Sequence, residues 1–151
     1  MAIIRAATEE DIPRILELYH ELVIKTSEAE IDLTPSQDDY RRVFNKINSM
    51  PGLELLVIEE QGEVAGSVVL LIVPNLSHRA LPWALVENVI VDQRFQRKGL
   101  GKLLMEYAIG RAKEAGCYKI VLSSNKKRRE AHRFYGALGF KALAHGFQLY
   151  F

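Results

Sequence analysis

The chain has 151 residues, the length of one domain with a substantial core. Its 48% hydrophobic and 26% charged residues are typical of a folded globular protein and exclude a disordered chain. The 20 basic and 19 acidic residues leave a formal charge of +1, which argues against nucleic acid or a membrane surface as a partner. A single cysteine excludes a disulfide framework. No stretch has the profile of a secretory leader or of a membrane span. We therefore expect a single domain over residues 1–151 in a cytoplasmic protein.

The first half of the chain predicts a strand, two helices and a hairpin. A short strand over residues 2–6 leads into a helix that Thr8 caps, with acidic residues in its first turn. The next helix is expected to begin at Thr34 and Pro35, a capping residue followed by proline at the first helical position. Apolar runs over residues 53–60 and 64–74 flank a turn at Gly62 and predict a β-hairpin.

The second half alternates strands and helices. A strand over residues 83–92 precedes an amphipathic helix over residues 99–115, which Gly116 ends. A strand over residues 117–124 follows, and because a helix separates these two strands we expect them to be parallel. A short helix over residues 129–138 and strands over residues 141–145 and 147–151 complete the chain. The element order β α α β β β α β α β β indicates a mixed α/β fold.

The entrance to the helix at residue 99 has an unusual charge. Helix N-termini carry partial positive charge and unpaired N–H groups, so acidic residues are expected there. No acid lies between Asp92 and Glu106, and Gly99 and Gly101 would let a ligand approach the backbone. Cations surround this start: Arg94, Arg97, Lys98 and Lys102. The pattern predicts a local anion site; the alternative is a solvated basic turn with ordinary glycines.

Two known phosphate-binding loops do not fit this segment. The dinucleotide fingerprint requires a third glycine where the chain has Leu104. The P-loop requires a glycine at Gln96 and a hydroxyl at Leu103. The pattern that remains is Gln/Arg-x-x-Gly-x-Gly/Ala between a strand and a helix.

Three segments, in their order and spacing, resemble the GNAT superfamily of N-acetyltransferases. They are the strand VENVIVD, the loop QRKGLG, and the run Asn-x5-Ala-x2-Phe-Tyr-x3-Gly-Phe from Asn125 to Phe140. The resemblance implies a mixed, mostly antiparallel sheet of six or seven strands, about four helices, and a splayed central pair of parallel strands. It also implies acetyl-CoA as co-substrate, so that the anion at the helix entrance would be the pyrophosphate of coenzyme A.

The resemblance further assigns residues to acetyl-CoA. Backbone N–H near Val89 would polarise the thioester carbonyl, Asn125 and Phe134 would contact the pantetheine arm, and the loop would hold the pyrophosphate. Tyr135 matches the general acid of the family, and a phenol with a pKa near 10 keeps its proton at neutral pH. The residues implied to bind acetyl-CoA are Val89, Ile90, Val91, Gln96, Arg97, Lys98, Gly99, Leu100, Gly101, Lys102, Asn125 and Phe134.

The general base is less well defined by the sequence. Glu87 is the best candidate, because an acid in an otherwise apolar strand is costly without a task and because alternation places it on one face with Val89 and Val91. The alternative is a structural carboxylate that bonds to Trp83 or to a loop. Other candidates are weaker: Glu54, Glu59 or water alone.

The acceptor and partners follow from narrower similarities. Parts of the chain resemble aminoalkylphosphonate and glucosamine-phosphate N-acetyltransferases, whose acceptors carry an anion beside a primary amine. We expect direct transfer of acetyl in a ternary complex to such a small molecule, with loops 24–33 and 74–82 walling its pocket and Arg79 near its anion. A protein acetyltransferase and a non-catalytic acyl-CoA sensor are the alternatives. The aromatic end FQLYF could pair in a homodimer, and the four histidines lack metal-ligand spacing, so no metal is expected.

Overall fold

The computed structural model describes residues 1–24 and 35–151. It divides into two compact units, Met1–Val121 and Leu122–Phe151, which are described separately. The first unit contains the sheet except for Leu122, the last residue of the fifth strand, and the second contains the last helix and the C-terminal segment.

A mixed sheet of five strands organises the first unit. The strands are β1 (Ile3–Ala6), β2 (Leu53–Glu60), β3 (Glu63–Val73), β4 (Trp83–Val91) and β5 (Ile120–Leu122), and they lie in the order β1-β2-β3-β4-β5. The first three pairings are antiparallel. At the start of the last pairing, Tyr118 N donates to Pro82 O and Ala84 N donates to Lys119 O, so β4 and β5 run in the same direction, as predicted. Among the described residues the sheet has five strands, so the expected six or seven is wrong.

Residues 1–24 and 35–151 contain five α-helices: α1 (Ile12–Ile24), α2 (Gln37–Ser49), α3 (Ser77–Ala80), α4 (Leu100–Glu114) and α5 (Arg129–Ala137). Short 3₁₀ turns, Glu9–Asp11 and Gln93–Phe95, precede α1 and α4. The expectation of about four helices did not include α3, which lies in a segment predicted to be a loop. It has four residues, and positive φ values at His78, Arg79 and Ala80 make it an irregular turn rather than a regular right-handed helix. A segment this short has no amphipathic period to reveal it.

Helices α1 and α2 cover one face of the sheet. Leu18 of α1 and Phe44 of α2 pack in one buried cluster with Leu55 and Val57 of β2. Tyr19 joins this cluster at its border. Because alternate residues of a strand face opposite sides, this cluster uses only one set of the apolar residues of the sheet.

Helix α4 packs on the opposite face of the sheet and covers the other set of apolar residues. It contacts β2, β3 and β4, and its Leu104, Met105 and Ala108 are fully buried. Leu56 and Val68, which alternate with the α1 and α2 face, are also buried. Burying apolar area on both faces of the sheet is the main source of stability for this unit.

The turns and caps follow local backbone chemistry. Gln61 and Gly62 adopt φ values of 54° and 77° in the two-residue turn between β2 and β3, which confirms the predicted hairpin. Ser36 caps α2, so the helix begins at Gln37 and not at Pro35 as predicted. The Ser36 side chain accepts from Asp39 N at 3.1 Å, and the Asp39 carboxylate accepts from Ser36 N at 2.9 Å. Thr34 itself lies outside the described residues.

In the second unit, α5 ends before Gly139, which has a φ of 100°. Residues 141–151 are all described and none is in a strand, so the two C-terminal strands expected from the sequence are wrong. Phe147 and Leu149 are 94% and 81% exposed. Alternation alone does not make a strand, because the backbone also needs a partner and one face needs a surface to cover it.

Within residues 1–24 and 35–151, no helix combines the length and the apolar composition needed to cross a bilayer. The same residues hold no group of three or more His, Cys, Asp or Glu side chains arranged to bind a metal ion.

Candidate active site

A β-bulge interrupts the middle of β4. Ser67 lies opposite Ile90, whereas Val69 lies opposite Glu87, so β4 has one residue more than β3 over this interval. Asn88 lies in the interval and has a φ of 52°, which asparagine tolerates better than most residues. The bulge redirects the backbone of β4 at the segment predicted to polarise the thioester.

The bulge also changes which side chains share a face. Glu87 and Ile90 lie opposite Val69 and Ser67, which are two residues apart and therefore on the same face of β3. Glu87 consequently shares its face with Ile90, and the prediction from simple alternation that it shares a face with Val89 and Val91 is wrong. The inserted residue reverses the alternation beyond it.

Glu87 itself is exposed and makes no hydrogen bond or ion pair with another described residue. The weaker candidates are engaged: Glu54 pairs with Arg111, and Glu59 accepts from Arg5 Nε at 3.0 Å. Among these carboxylates, Glu87 is therefore the one left to accept a proton from a ligand.

Gly66 allows the close approach of β3 and β4 beside the bulge. A Cβ atom at this position would lie 2.7 Å from the carbonyl oxygen of Ile90 and 3.2 Å from the side chain of Ile58. Such a contact with the backbone would force the strands apart, so only glycine fits.

Tyr19 of α1 lies near the bulge, and the sequence did not mark it as a site residue. Burial raises the pKa of its phenol, and hydrogen bonds with the side chains of Ser67 and Asn88 act in the opposite direction. The helical period gave no signal for this contact, because it depends on the position of α1 against the sheet.

The loop between β4 and α4 has the backbone of an anion site. Arg97 and Gly99 have φ values of 65° and 78°, and Gly99 caps α4 without a side-chain hydrogen bond to the helix. The first turn, which starts at Leu100, contains no acidic residue. Its leading N–H groups therefore have no side-chain acceptor from the cap, which is the condition that favours anion binding at a helix start.

Arg94 does not contribute to this loop as the sequence suggested. Its guanidinium donates to the carboxylates of Asp92 and Glu63, so this cation is already neutralised. The prediction counted it as one of four cations facing an anion, because Glu63 lies 31 residues earlier in the chain and no local pattern reveals the pairing.

The remaining cations are more available. Lys98 lies 5.3 Å from the centre of the Phe95 ring, and Lys102 is 3.8 Å from the carboxylate of Glu106 in an exposed pair of small energetic value. Arg97 is exposed and has no ion pair among the residues that the structure describes. Residues 96–102 thus keep positive charge and uncapped N–H groups together, and they fit a diphosphate.

The second unit places Asn125 at the start of the turn that leads into α5. Its side-chain oxygen accepts from Lys127 N at 2.9 Å, and its carbonyl accepts from Arg128 N at 3.0 Å. The side-chain amide N–H groups remain for a ligand. The neighbouring Ser124 hydroxyl is buried without a hydrogen-bond partner in the described chain. The sequence did not indicate this buried hydroxyl, because a serine at a strand end has no distinctive pattern.

Tyr135 lies on the buried side of α5 and is 8% exposed. Its ring centre is 5.2 Å from that of Phe134 and 6.0 Å from that of Phe140. Burial raises the pKa of the phenol, with a smaller opposing effect from the charge of Arg128. The group therefore remains protonated at neutral pH and can act as an acid.

The loop expected to wall the acceptor pocket contains a strained turn. His78, Arg79 and Ala80 have φ values of 51°, 62° and 61°, a conformation that costs non-glycine residues of order 1 kcal/mol each. A cavity of about 430 Å³ lies beside it, lined by Ile72, Pro74, Asn75, Leu76, Ala80 and Pro82. The other expected wall, residues 24–33, lies outside the described residues except for the end of α1.

Comparison with known proteins agrees with these features. The sequence profile of the acetyltransferase (GNAT) family matches residues 10–140. A glucosamine 6-phosphate N-acetyltransferase of Trypanosoma brucei brucei is 30% identical over 141 residues, covering 92% of this chain and 88% of the relative. An aminoalkylphosphonate N-acetyltransferase of Salmonella typhimurium is 30% identical over 138 residues, covering 91% and 84%.

The fold agrees as well. The crystal structure of a glucosamine-6-phosphate N-acetyltransferase from Arabidopsis thaliana superposes with a TM-score of 0.84 at 26% identity, covering 100% of this chain and 99% of that chain. The family uses acetyl-CoA, which suits the acid-free loop at residues 96–102. The chain is thus an N-acetyltransferase and belongs to the GNAT family of acetyltransferases.

Proposed function

We propose that this protein transfers the acetyl group of acetyl-CoA to the primary amine of a small acceptor that carries an anion. The observation that supports it most is the entrance of α4, where a left-handed Gly99, uncapped N–H groups and the exposed Arg97 and Lys98 fit a diphosphate. Residues 96–102 would hold that group, and Asn125 and Phe134 would contact the pantetheine arm.

The residues of the chain divide the proton transfers between them. In direct transfer the amine nitrogen bonds to the carbonyl carbon, the carbon–sulfur bond breaks, and the nitrogen loses one proton. Glu87 would accept that proton directly or through water, and Tyr135 would give its own proton to the sulfur. The bulged backbone at Val89 would donate to the carbonyl oxygen as charge develops there.

The anionic character of the acceptor rests on two supports. The relatives at 30% identity are named for glucosamine 6-phosphate and aminoalkylphosphonate, and each of these has an amine and a phosphorus anion. Arg79 is exposed in the strained turn beside the cavity and makes no ion pair with another described residue. A guanidinium in that place suits a phosphate or phosphonate.

The test is release of coenzyme A thiol across a panel of amines. We expect turnover of glucosamine 6-phosphate or 2-aminoethylphosphonate, with kcat/KM at least tenfold above that of glucosamine or ethylamine, because a charged hydrogen bond contributes about 1.5–3 kcal/mol. Faster turnover of peptides would indicate a protein acetyltransferase instead. No turnover together with stabilisation by coenzyme A, about 2.7 kcal/mol at 100 times Kd, would indicate a sensor.

Two substitutions test the assigned roles. Glu87→Gln should lower kcat by about 10²-fold or more with acetyl-CoA binding nearly unchanged, and Tyr135→Phe should lower it by about 10²- to 10⁴-fold. Glu54→Gln is the matched control, because Glu54 is engaged by Arg111. Wild-type rates in Glu87→Gln would remove Glu87 from the mechanism.

A further inference from the structure

A buried aspartate joins the end of β4 to the loop that follows. Asp92 is 4% exposed, and its N–H donates to the carbonyl oxygen of Ala65 in β3 at 2.8 Å. Its carboxylate accepts from Arg94 N at 2.8 Å and from the guanidinium groups of Arg94 and Arg14. Hydrogen bonds from Arg94 first, and then from Arg14, hold the pKa of Asp92 well below its usual range, so the group is ionised.

Arg14 connects this carboxylate to α1 and to β3. Its Nε donates to the carbonyl oxygen of Val64 at 3.0 Å, one amino group donates to Asp92, and the other donates to Glu17 at 3.1 Å. The contact with Glu17 is at the surface, where the glutamate side chain is 68% exposed. The contacts with Val64 and Asp92 are the inner ones, and they join three elements at one guanidinium.

The loop 96–102 begins from this junction. Asp92 caps the 3₁₀ turn Gln93–Phe95, and Phe95 anchors that turn because it is 8% exposed. Gln96 then continues the chain, with its N–H bonded to Gln93 O at 3.3 Å and its side chain bonded to Val91 O at 3.3 Å. The backbone that precedes Arg97 is therefore held by the Asp92 cap of the 3₁₀ turn and by the two hydrogen bonds of Gln96.

The cap of the 3₁₀ turn is a charged carboxylate, that of Asp92, although an uncharged side chain could form the same cap. A serine or asparagine caps a turn as well as an aspartate, and a buried carboxylate carries a desolvation cost unless it is paired. Asp92 meets that cost with two guanidinium groups, one of which, that of Arg94, is thereby held with Glu63 instead of within the loop. The charge of Asp92 thus orders the loop and also determines which cations remain available to a ligand.

We propose that Asp92, held by Arg14, is a positioning residue that keeps loop 96–102 in the conformation that binds the diphosphate of acetyl-CoA. This inference rests on the proposed function. It predicts that the pair acts on the affinity for the diphosphate and not on the transfer of the acetyl group, because neither side chain belongs to the segment assigned to the thioester.

The experiment compares two thioesters in the full-length protein. Acetyl-CoA carries the diphosphate, and S-acetylpantetheine lacks it. Asp92→Asn should raise the KM for acetyl-CoA by about 10- to 100-fold, the loss expected for hydrogen bonds to charged groups, and should leave kcat within about threefold. Its kcat/KM for S-acetylpantetheine should remain at the wild-type value. Arg14→Lys keeps the charge without the planar fork, so it should give the same selective loss with less risk to folding.

Asp11→Asn is the matched control. Asp11 is also a buried aspartate, 8% exposed, and pairs with Arg5, but it lies at the start of α1 and has no contact with the loop. It should lower stability without changing the ratio of the two kcat/KM values.

Two outcomes separate the inference from the function beneath it. Equal losses with both thioesters in Asp92→Asn and Arg14→Lys, or the same ratio change in Asp11→Asn, would overturn the positioning role while the wild type remains active. A wild type that neither releases thiol from acetyl-CoA nor is stabilised by coenzyme A would instead overturn the proposed function.

Discussion

Helices α1 and α4 begin in opposite ways. Before α1, the carboxylate of Asp11 accepts from Thr8 N at 2.7 Å and from two nitrogens of Arg5 at 2.7 and 3.0 Å. Hydrogen bonds from Arg5 keep the pKa of Asp11 below its usual range. The chain itself therefore supplies both the acid and its counter-charge at this helix start.

At the start of α4 the chain supplies cations but no acid. Gly99 provides no side-chain acceptor, the first turn has no acid, and Arg97 and Lys98 add positive charge. An N-terminus that the protein leaves uncapped and positive is less stable on its own and gains more from an external anion. An anion site can therefore be recognised at a helix start that lacks a carboxylate from the chain, as α4 does, when another helix of the same protein, α1, has one.

The difference between the two helix starts can be tested by placing an acidic residue in the first turn of α4. Lys102→Glu places a carboxylate in the first turn and removes a cation, so acetyl-CoA affinity should fall by about 10- to 100-fold. Stability should stay within about 0.5 kcal/mol of the wild type, because the gain at the helix start offsets a new like-charge pair with Glu106. KM and thermal unfolding measure the two effects.

Lys113→Glu is the control for this change. It makes the same charge difference in the last turn of α4, where a cation suits the helix dipole. It should lower stability slightly and leave the KM for acetyl-CoA unchanged; an equal rise in KM would show that the effect is general rather than local.

The carboxylate that caps the start of α1 can also be removed. Asp11→Asn should lower the free energy of unfolding by about 1–3 kcal/mol, because Arg5 loses its charged acceptor and Thr8 N loses its carboxylate partner. The KM for acetyl-CoA should not change. Chemical denaturation and steady-state kinetics on one preparation provide both values.

The same pair makes a prediction about pH. Since the folded-state pKa of Asp11 is below its unfolded value, its stabilisation is complete above about pH 4 and is lost as the pH falls through the folded pKa. The stability curves of the wild type and Asp11→Asn should therefore converge in acid. Curves that stay parallel as the pH falls would contradict the role of this carboxylate.

Two glycines at the ends of α4 sharpen the comparison further. Gly99 and Gly116 have φ values of 78° and 80°, and an added Cβ would meet nothing within 4 Å at either. Each change to alanine should cost about 1–2 kcal/mol of stability through backbone strain alone. Only Gly99→Ala should also weaken acetyl-CoA binding, by about three- to tenfold, because strain at the cap displaces the loop. Similar KM values in the two variants would separate Gly99 from the site.

The smallest expected effect is that of salt. Raising the ionic strength from about 0.05 to 0.3 M should weaken acetyl-CoA binding severalfold, because exposed charges around residues 96–102 are screened. The KM for S-acetylpantetheine, which lacks the diphosphate, should be nearly constant. A common salt dependence of both would argue against a charged contact.

The sequence predicted those parts of the fold that depend on local backbone preference. The hairpin at Gly62 and the boundaries of α4 at Gly99 and Gly116 were confirmed, because each requires a left-handed residue or a cap that a short stretch reveals. The family assignment was confirmed for a similar reason, since its motifs are short and ordered along the chain.

The parts that failed depend on partners far away in the chain. The extra residue at Asn88 reversed the faces of β4, and Glu63 neutralised Arg94, yet neither event leaves a local pattern. Strands were predicted over residues 141–145 and 147–151, but none of these residues pairs with another strand. For the site, the loop 96–102 was predicted as a unit, whereas Asp92 was noted only as the last acid before it.

Gly66 gives this fold a marker that can be read from sequence alone. Since any larger residue would drive its first carbon atom to within 2.7 Å of the Ile90 carbonyl, a homologue with a side chain at this position must build its fourth strand differently. Relatives with glycine at the position of Gly66 should keep the bulged fourth strand. In relatives with a larger residue there, the catalytic groups have to be identified separately.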